Sequence, residues 1–443
     1  MTDPAAPAAH LLYVAWGFPP SRTGGVHRAL ATANAFAAAG WVVTVLTAPR
    51  EVFLDVTGAD EALEQLVDPR VQVRRVPFSW PAQQTDLRDF GPARVLVPRL
   101  WARSRARLDT LAFPEVGYGP WRRRIEAAAL AEHARRPVDL VIATTNPQVS
   151  ITPGLRLARE HGVPYVVDYR DAWTLHTYSG RRLHEEGSAQ ARWEARAFAG
   201  AAEIWFVNDP LLRWHARTYP ELADRMHVVM NGYDHDLAPP VRDAANLPPG
   251  ESLTFGYLGT LTPVVPLREL VDGWRFGQAH QSRLDGAVAE LHGYLGYYAT
   301  PEPGLAAIVD DAADSGMRYA GPVSKTAVAA TYAGFDVLVL LLGGGEYVTS
   351  GKVFEYMSTG LPVVSVLTPG NAAAEVLAGY PRWHPAADLS PAAVAAALAA
   401  AADDARAPGS AARASRAQEV ARRFRRDVQL APRIDALHAL VRP

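Results

Sequence analysis

Two α/β domains in tandem, each built on a parallel sheet, are the fold class this sequence predicts. Three observations carry that expectation. Short apolar runs alternate with helix-length segments along most of the chain, as strand–helix units of a parallel sheet do. The alternation lapses at DLAPPVRDAANLPPGE (236–251), whose prolines and glycine read as an interdomain linker. The length of 443 residues suits two or three domains of roughly 100–200 residues, each able to bury its own core. The expected boundaries are 1–235 for the first domain, 236–251 for the linker, 252–420 for the second domain and 421–443 for a C-terminal helix crossing between domains.

In the first domain the strand-sized runs are 11–16, 42–46, 71–76, 140–143, 165–169, 203–207 and 227–230. Residues 26–39 have a helical pattern closed by Gly40, where a positive φ costs a glycine little. That is a βαβ opening. The second domain repeats the architecture with runs at 253–258, 291–295, 317–319, 337–342 and 362–366. From Pro391 the chain is Ala-rich and Arg-rich, a helical tail.

Composition excludes several function classes. Forty-four Lys plus Arg against 46 Asp plus Glu give a formal charge of −2, so no global basic field exists to hold a nucleic acid. No cysteine is present, which removes disulfides, thiolate metal sites and Cys nucleophiles, and suits a reducing cytoplasm. The start, MTDPAAPAAH, lacks the charged region of a signal peptide. No stretch reaches the ~18 apolar residues of a spanning helix, so the expected location is cytoplasmic, with peripheral contact at the inner membrane face left open. Only Lys325 and Lys352 are lysines, so arginine supplies nearly all of the positive charge.

Three segments carry chemistry-bearing residues at predicted strand ends. After the first strand comes GFPPSRTGGVHRA, where Gly24 and Gly25 remove side chains just before a helix whose free amides and dipole favour a phosphate. This is not GxGxxG, so nicotinamide binding gains nothing from it. Arg28, one turn into that helix, either reaches a phosphate or faces solvent. VVDYRDAW (166–173) places Asp168, Arg170 and Asp171 after an apolar run at the same sheet edge. They orient a substrate hydroxyl, or form a salt bridge that fixes the loop. Asn146, ending the preceding strand, would stand beside them and line an acceptor pocket.

The third segment, FDVLVLLLGGGEYVTSGKVFEYMSTGLPVVSV (335–366), is the most informative. A buried strand ends in three glycines, and Ser350 and Gly351 then open a short helix bearing Lys352 and Glu355. Their i,i+3 spacing puts ammonium and carboxylate on one helix face beside the N-terminal amides. That suits a nucleoside diphosphate, the carboxylate taking ribose hydroxyls while amides and ammonium meet the phosphates. A surface ion pair is the plainer reading. Lys325 and Arg268, each at a strand-to-helix turn, are further basic candidates.

Taken in order, FPPSRTGG, VVDYRDAW, VVMNGYD, GYLGT and SGKVFEYMSTGLPVV resemble the family 4 retaining glycosyltransferases, and the resemblance covers nearly the whole chain. It implies the GT-B architecture, two Rossmann-like domains facing across a cleft, with the donor held mainly by the C-terminal domain and the acceptor by the N-terminal one. It also implies a nucleoside diphosphate sugar as co-substrate, UDP- or GDP-linked, with no cofactor and no obligatory metal. By position Glu355 corresponds to the ribose-binding glutamate, and Gly24 and Gly25 to the loop approaching the diphosphate. Glu346 and Glu355 enclose eight residues, one more than the family's spacing, with Tyr347 where the first glutamate should be. The customary Arg and Lys after the second domain's first strand reduce to Arg268, and YRD stands where the family commonly has a His. The expected site therefore comprises Asp168, Arg170 and Asp171 as catalytic residues and Arg28 and Asn146 for the acceptor. Its donor residues are Gly24, Gly25, Arg268, Lys325, Glu346, Ser350, Gly351, Lys352 and Glu355.

The acceptor reading stays divided. Between Arg88 and Arg124 nine Arg face Asp89, Asp109 and Glu115, with Trp101 and Trp121 interleaved. This is either a surface for anionic lipid or a phosphorylated acceptor, or a solvated helical hairpin with buried Trp. The resemblance, joined to the Arg-rich and Ala-rich composition, implies a small molecule of specialised metabolism, as relatives glycosylate in antibiotic pathways, over a lipid-linked acceptor of the cell envelope. A nucleotide-sugar epimerase and a non-catalytic nucleotide-sugar binder are the other classes.

Overall fold

A parallel strand covered by helices on both faces must be apolar along its whole length, and the central strands here obey that rule. The computed structural model describes residues 8–84, 86–234, 252–296, 301–324 and 327–442. The expected linker 236–251 and Lys325 lie outside them. Two parallel sheets form. The first has β1 (His10–Val14), β2 (Val42–Thr47), β3 (Gln72–Arg75), β4 (Leu140–Thr144), β5 (Tyr165–Tyr169), β6 (Glu203–Phe206) and β7 (Met226–Val228), in spatial order β3-β2-β1-β4-β5-β6-β7. The second has β8 (Thr254–Leu258), β9 (Val288–His292), β10 (Met317–Gly321), β11 (Val337–Leu342), β12 (Val363–Leu367) and β13 (Trp383–Pro385), in order β10-β9-β8-β11-β12-β13. Strands β4 and β11 are buried at each residue.

Both sheets are doubly wound. The strand order reverses between β1 and β4 in the first and between β8 and β11 in the second, the places where such sheets open a crevice at their carboxyl edge. Helix Val26–Ala38 follows β1, and Gly40, with φ 88°, ends it as expected. Helix Gly351–Thr359 follows β11 and is closed by Gly360 at φ 76°.

Two details correct the strand expectations. β9 runs three residues earlier than the apolar pattern suggested, because Gly293 (φ 141°) ends it where the backbone meets the carbonyl of Gly259. β13 carries a single apolar residue, Trp383, and gave no run to recognise.

The compact units divide as Met1–His176, Arg181–Val229 and Leu430–Pro443 on one side, and Thr177–Gly180 and Met230–Gln429 on the other. The last helix, Arg426–Val441, thus ends in the first unit. Leu430, Ile434 and Leu437, spaced to share one helix face, join Leu11, Tyr13, Phe36 and Trp41 in its core. In the second unit the Ala-rich helix Pro391–Arg406 packs on helix Leu267–His280, where Gly273 leaves room for Val394; a Cβ there would lie 2.4 Å from it.

Candidate functional site

Each unit gathers its chemistry-bearing residues at the crevice of its own sheet. In the first unit a cavity of about 230 Å³ opens there, lined by Trp16 and Gly17 after β1, Gly25 at the helix start, Thr144 and Asn146 after β4, and Arg170 after β5. Thr23, Thr57 and Tyr118 complete the wall. Arg170 is held by its Nε donating to the carbonyl of Thr145 at 3.1 Å and by an ion pair with Asp171 at 3.2 Å. Asn146, left-handed at φ 58°, donates from Nδ2 to Asp171 at 2.9 Å. The three expected residues Arg170, Asp171 and Asn146 are therefore one connected group.

Gly25 belongs to the same group for a steric reason. A Cβ on it would lie 2.7 Å from Cζ of Arg170, so the guanidinium rests on bare backbone at the N-terminus of helix Val26–Ala38. Gly24 has open space where its Cβ would be, and no contact requires glycine there.

Asp168 and Arg28 do not join the cavity. Asp168 is fully buried and Arg28 nearly so, and they form a forked pair in which Nε lies 2.9 Å and Nη2 2.6 Å from Oδ1. Nη1 of Arg28 donates to the carbonyl of Val229 at 2.7 Å. Asp168, expected as a catalytic side chain, and Arg28, expected as an acceptor ligand, are instead found paired with each other in the interior, where an unpaired charge would be costly. The adjacent Arg170 and Asp171 are the pair left at the surface of the site.

Sequence reasoning missed Glu115, which accepts from the backbone amides of Gln148 and Val149, both at 2.9 Å, and so anchors the turn after Asn146. Burial pushes its carboxyl up to about 7 against the opposing pull of those two amides. Its place in an Arg-rich stretch of sequence hid that role.

In the second unit the crevice centres on Lys352. Ser350 caps helix Gly351–Thr359, its side chain accepting from the amide of Lys352 at 3.3 Å. The Lys352 ammonium reaches back across the end of β8 to donate to the Tyr257 hydroxyl at 2.6 Å, and sits 4.6 Å from the centre of that ring. It passes directly over Gly259, whose φ is 151° and whose Cβ would fall 1.9 Å from Cε of Lys352. Only glycine serves there. Burial lowers the Lys352 ammonium to about 8, with the Glu355 carboxylate opposing the shift. Glu355 accepts from the Tyr332 hydroxyl at 3.3 Å. Burial, and secondarily the charge of Glu355, raise that phenol well above its ordinary value, so it remains a donor.

The loop feeding this helix is clamped. Asn231, from the VVMNGYD segment, donates to the carbonyl of Thr349 at 2.9 Å, and the carbonyl of Asn231 accepts from Arg426 at 2.7 Å. Thr368 donates to the carbonyl of Gly344 at 2.7 Å, holding the triple-glycine turn. Ser350, Gly351, Lys352 and Glu355 are thus brought together as expected. Glu346 is exposed on the preceding turn. Arg268 is separated from them: it lines a different depression of about 530 Å³, with Glu302 and Thr368, that includes none of those four.

Residues 23–232 match the family model described as a glycosyl transferase 4-like domain. Those residues, just under half of the chain, form a glycosyl transferase 4-like domain, and the whole chain has the GT-B fold. No curated protein matches the sequence. Among solved structures it is similar to a glycosyltransferase from Rickettsia africae, with a TM-score of 0.65 and 11% identity, covering 98% of this chain and 99% of that one. It is also similar to sucrose-phosphate synthase from Thermosynechococcus elongatus, at 0.63 and 16%, covering 98% of this chain and 100% of that one. HepE from Anabaena, solved in complex with UDP and glucose, aligns at 0.58 and 14%, covering 97% of this chain and 99% of that one. At these identities the likeness is one of fold.

Proposed function

We propose that this glycosyltransferase moves a sugar from a nucleoside diphosphate sugar, UDP- or GDP-linked, to a hydroxyl-bearing acceptor with retention of anomeric configuration. The observation that carries the donor half is Lys352 lying across Gly259 beside the Ser350-capped amides, with Glu355 one turn further on. An ammonium and free helix amides meet the charge that develops on a departing diphosphate, and the carboxylate accepts from ribose hydroxyls. Neutralisation by these groups gives the reaction no need of a metal ion. The retaining course draws its rate from stabilising the leaving diphosphate and aligning the nucleophile on the same face, so no strong base is required. Arg170 and Asn146, joined to each other by Asp171, orient the acceptor hydroxyl in the 230 Å³ cavity.

The test is Glu355→Ala. Titration with nucleoside diphosphates and their sugars is expected to show binding roughly tenfold weaker than wild type, with a comparable loss of turnover. Wild-type donor affinity and product formation in the variant would overturn the assignment. Product formation that persists in a chelator, with the donor's anomeric configuration kept in the product's NMR couplings, tests the remaining two features.

A further inference from the structure

The Arg-rich stretch has a second face that the transfer reaction does not use. Eight of the eighteen exposed large hydrophobic residues among the described ones fall between Leu87 and Val116. Helix Pro98–Ala112 lies at the centre of that stretch. Its inner side is tied down: Trp101 lies under the Arg94 guanidinium at 4.7 Å and lines a cavity of about 440 Å³, and Asp109 pairs with Arg105 at 2.8 Å. Its outer side carries two parallel rows. Arg99, Arg103 and Arg107 recur every fourth residue along one ridge, all exposed, and among the described residues their guanidinium groups make no hydrogen bond or ion pair. Beside them Leu100, Leu108 and Leu111 are 62%, 57% and 79% exposed, and Leu96, just before the helix, is 78% exposed.

A water-facing helix gains nothing from a row of leucines, and isolated exposed apolar residues do not form rows. The acidic residues of the stretch do not supply the missing countercharge. Asp86 is taken by Arg88 at 2.5 Å, Asp89 accepts from the Gln84 amide at 2.9 Å, Asp109 is taken by Arg105, and Glu115 by two backbone amides. A second copy of the same face would therefore bring arginine row towards arginine row, a like-charge contact. An anionic lipid surface offers what both rows lack: phosphates for the guanidinium groups and an acyl boundary for the leucines.

The geometry points to helix Pro98–Ala112, with Leu96 ahead of it, as a docking surface for anionic membranes. The arginines lie at headgroup level and the leucines enter the acyl boundary beneath. Because Trp101 of the same helix lines the 440 Å³ cavity, docking sets that cavity next to the headgroup layer. The inference stands apart from the glycosyl-transfer reading, because vesicle binding is measured without nucleotide and donor binding without vesicles.

Co-sedimentation of the full chain with phosphatidylglycerol–phosphatidylcholine vesicles and with pure phosphatidylcholine vesicles tests it. The wild type is expected to bind the anionic vesicles, more weakly as salt rises, and to leave the neutral ones. Replacing all three arginines (R99Q, R103Q and R107Q together) is expected to weaken binding roughly a hundredfold. The pair Leu100→Ser and Leu111→Ser is expected to weaken it roughly tenfold or more. All five side chains are exposed, and circular dichroism and nucleotide binding report that the variants remain folded. Absence of binding to anionic vesicles, equal binding to neutral ones, or insensitivity to both sets of substitutions would overturn the inference. So would a dimer that dissociates on the leucine substitutions while vesicle binding is absent.

Discussion

The two sheets place glycine loops at the same topological position and then hold positive charge there by different means. In the first unit the charge at the crevice is Arg170, a planar guanidinium lying on Gly25 and tied to Asp171, which in turn holds Asn146. In the second it is Lys352, partly buried, resting on Gly259 and lowered to about 8. The first arrangement is braced by the buried Arg28–Asp168 pair, the amide of Arg170 donating to the carbonyl of Asp168. The second is titratable, and a bound diphosphate would restore its proton. One fold thus supplies a guanidinium at one crevice and a partly buried, titratable ammonium at the other, the difference lying in residue type and burial rather than in topology.

The largest effect expected from breaking this contrast is at Asp168. Asp168→Ala leaves the Arg28 guanidinium buried and unpaired, which costs about 3–5 kcal/mol. Denaturant unfolding followed by a probe in the first unit should show the loss, and replacing Arg28 with Met in the same chain should recover most of it. Full stability in the single variant would remove the bracing role.

Next is Gly259→Ala, which drives a Cβ into the Lys352 side chain and forces the ammonium off its seat. Nucleoside diphosphate binding should weaken roughly tenfold to a hundredfold, the worth of a charge-assisted hydrogen bond. Unchanged affinity by calorimetry would mean that Lys352 does not meet the diphosphate.

The titratable cation gives opposite signs for binding and stability. Above about 8 the ammonium of the free protein is lost, so diphosphate affinity should fall, approaching tenfold per pH unit, and Lys352→Met should flatten the profile. Between about 8 and the ordinary 10.5 the folded chain carries fewer protons than the unfolded one, so Lys352 makes stability rise with pH in that window. A fall in affinity that Lys352→Met leaves unchanged would assign the titration to another group.

The smallest effects distinguish the adjoining glycines. Gly25→Ala should displace Arg170 and slow transfer roughly threefold to tenfold, because the far end of a flexible side chain can give way. Gly24→Ala meets open space and should leave initial rates unchanged. Equal effects at the two positions would mean that backbone freedom, and not the approach of Arg170, is what the loop requires.

Much of this was legible in the amino-acid order. Continuous apolar runs such as VLVLLL locate strands covered on both faces, Gly40 and Gly360 mark helix ends, and Ser350 announces the cap of the helix bearing Lys352 and Glu355. Those signals are local, arising from periodicity, backbone conformation and spacing within a turn or two. Which of two neighbouring carboxylates is sealed and which is at the surface was settled at long range. Asp168 meets Arg28 across 140 residues of sequence, whereas Asp171 meets the Asn146 that precedes it by 25. Tyr257 finds Lys352 only because β8 and β11 are paired. The chain alone specified which residue types stand at each strand end. Folding chose their partners, because the burial and pairing that set a charge's proton affinity and direction are properties of strand order in space.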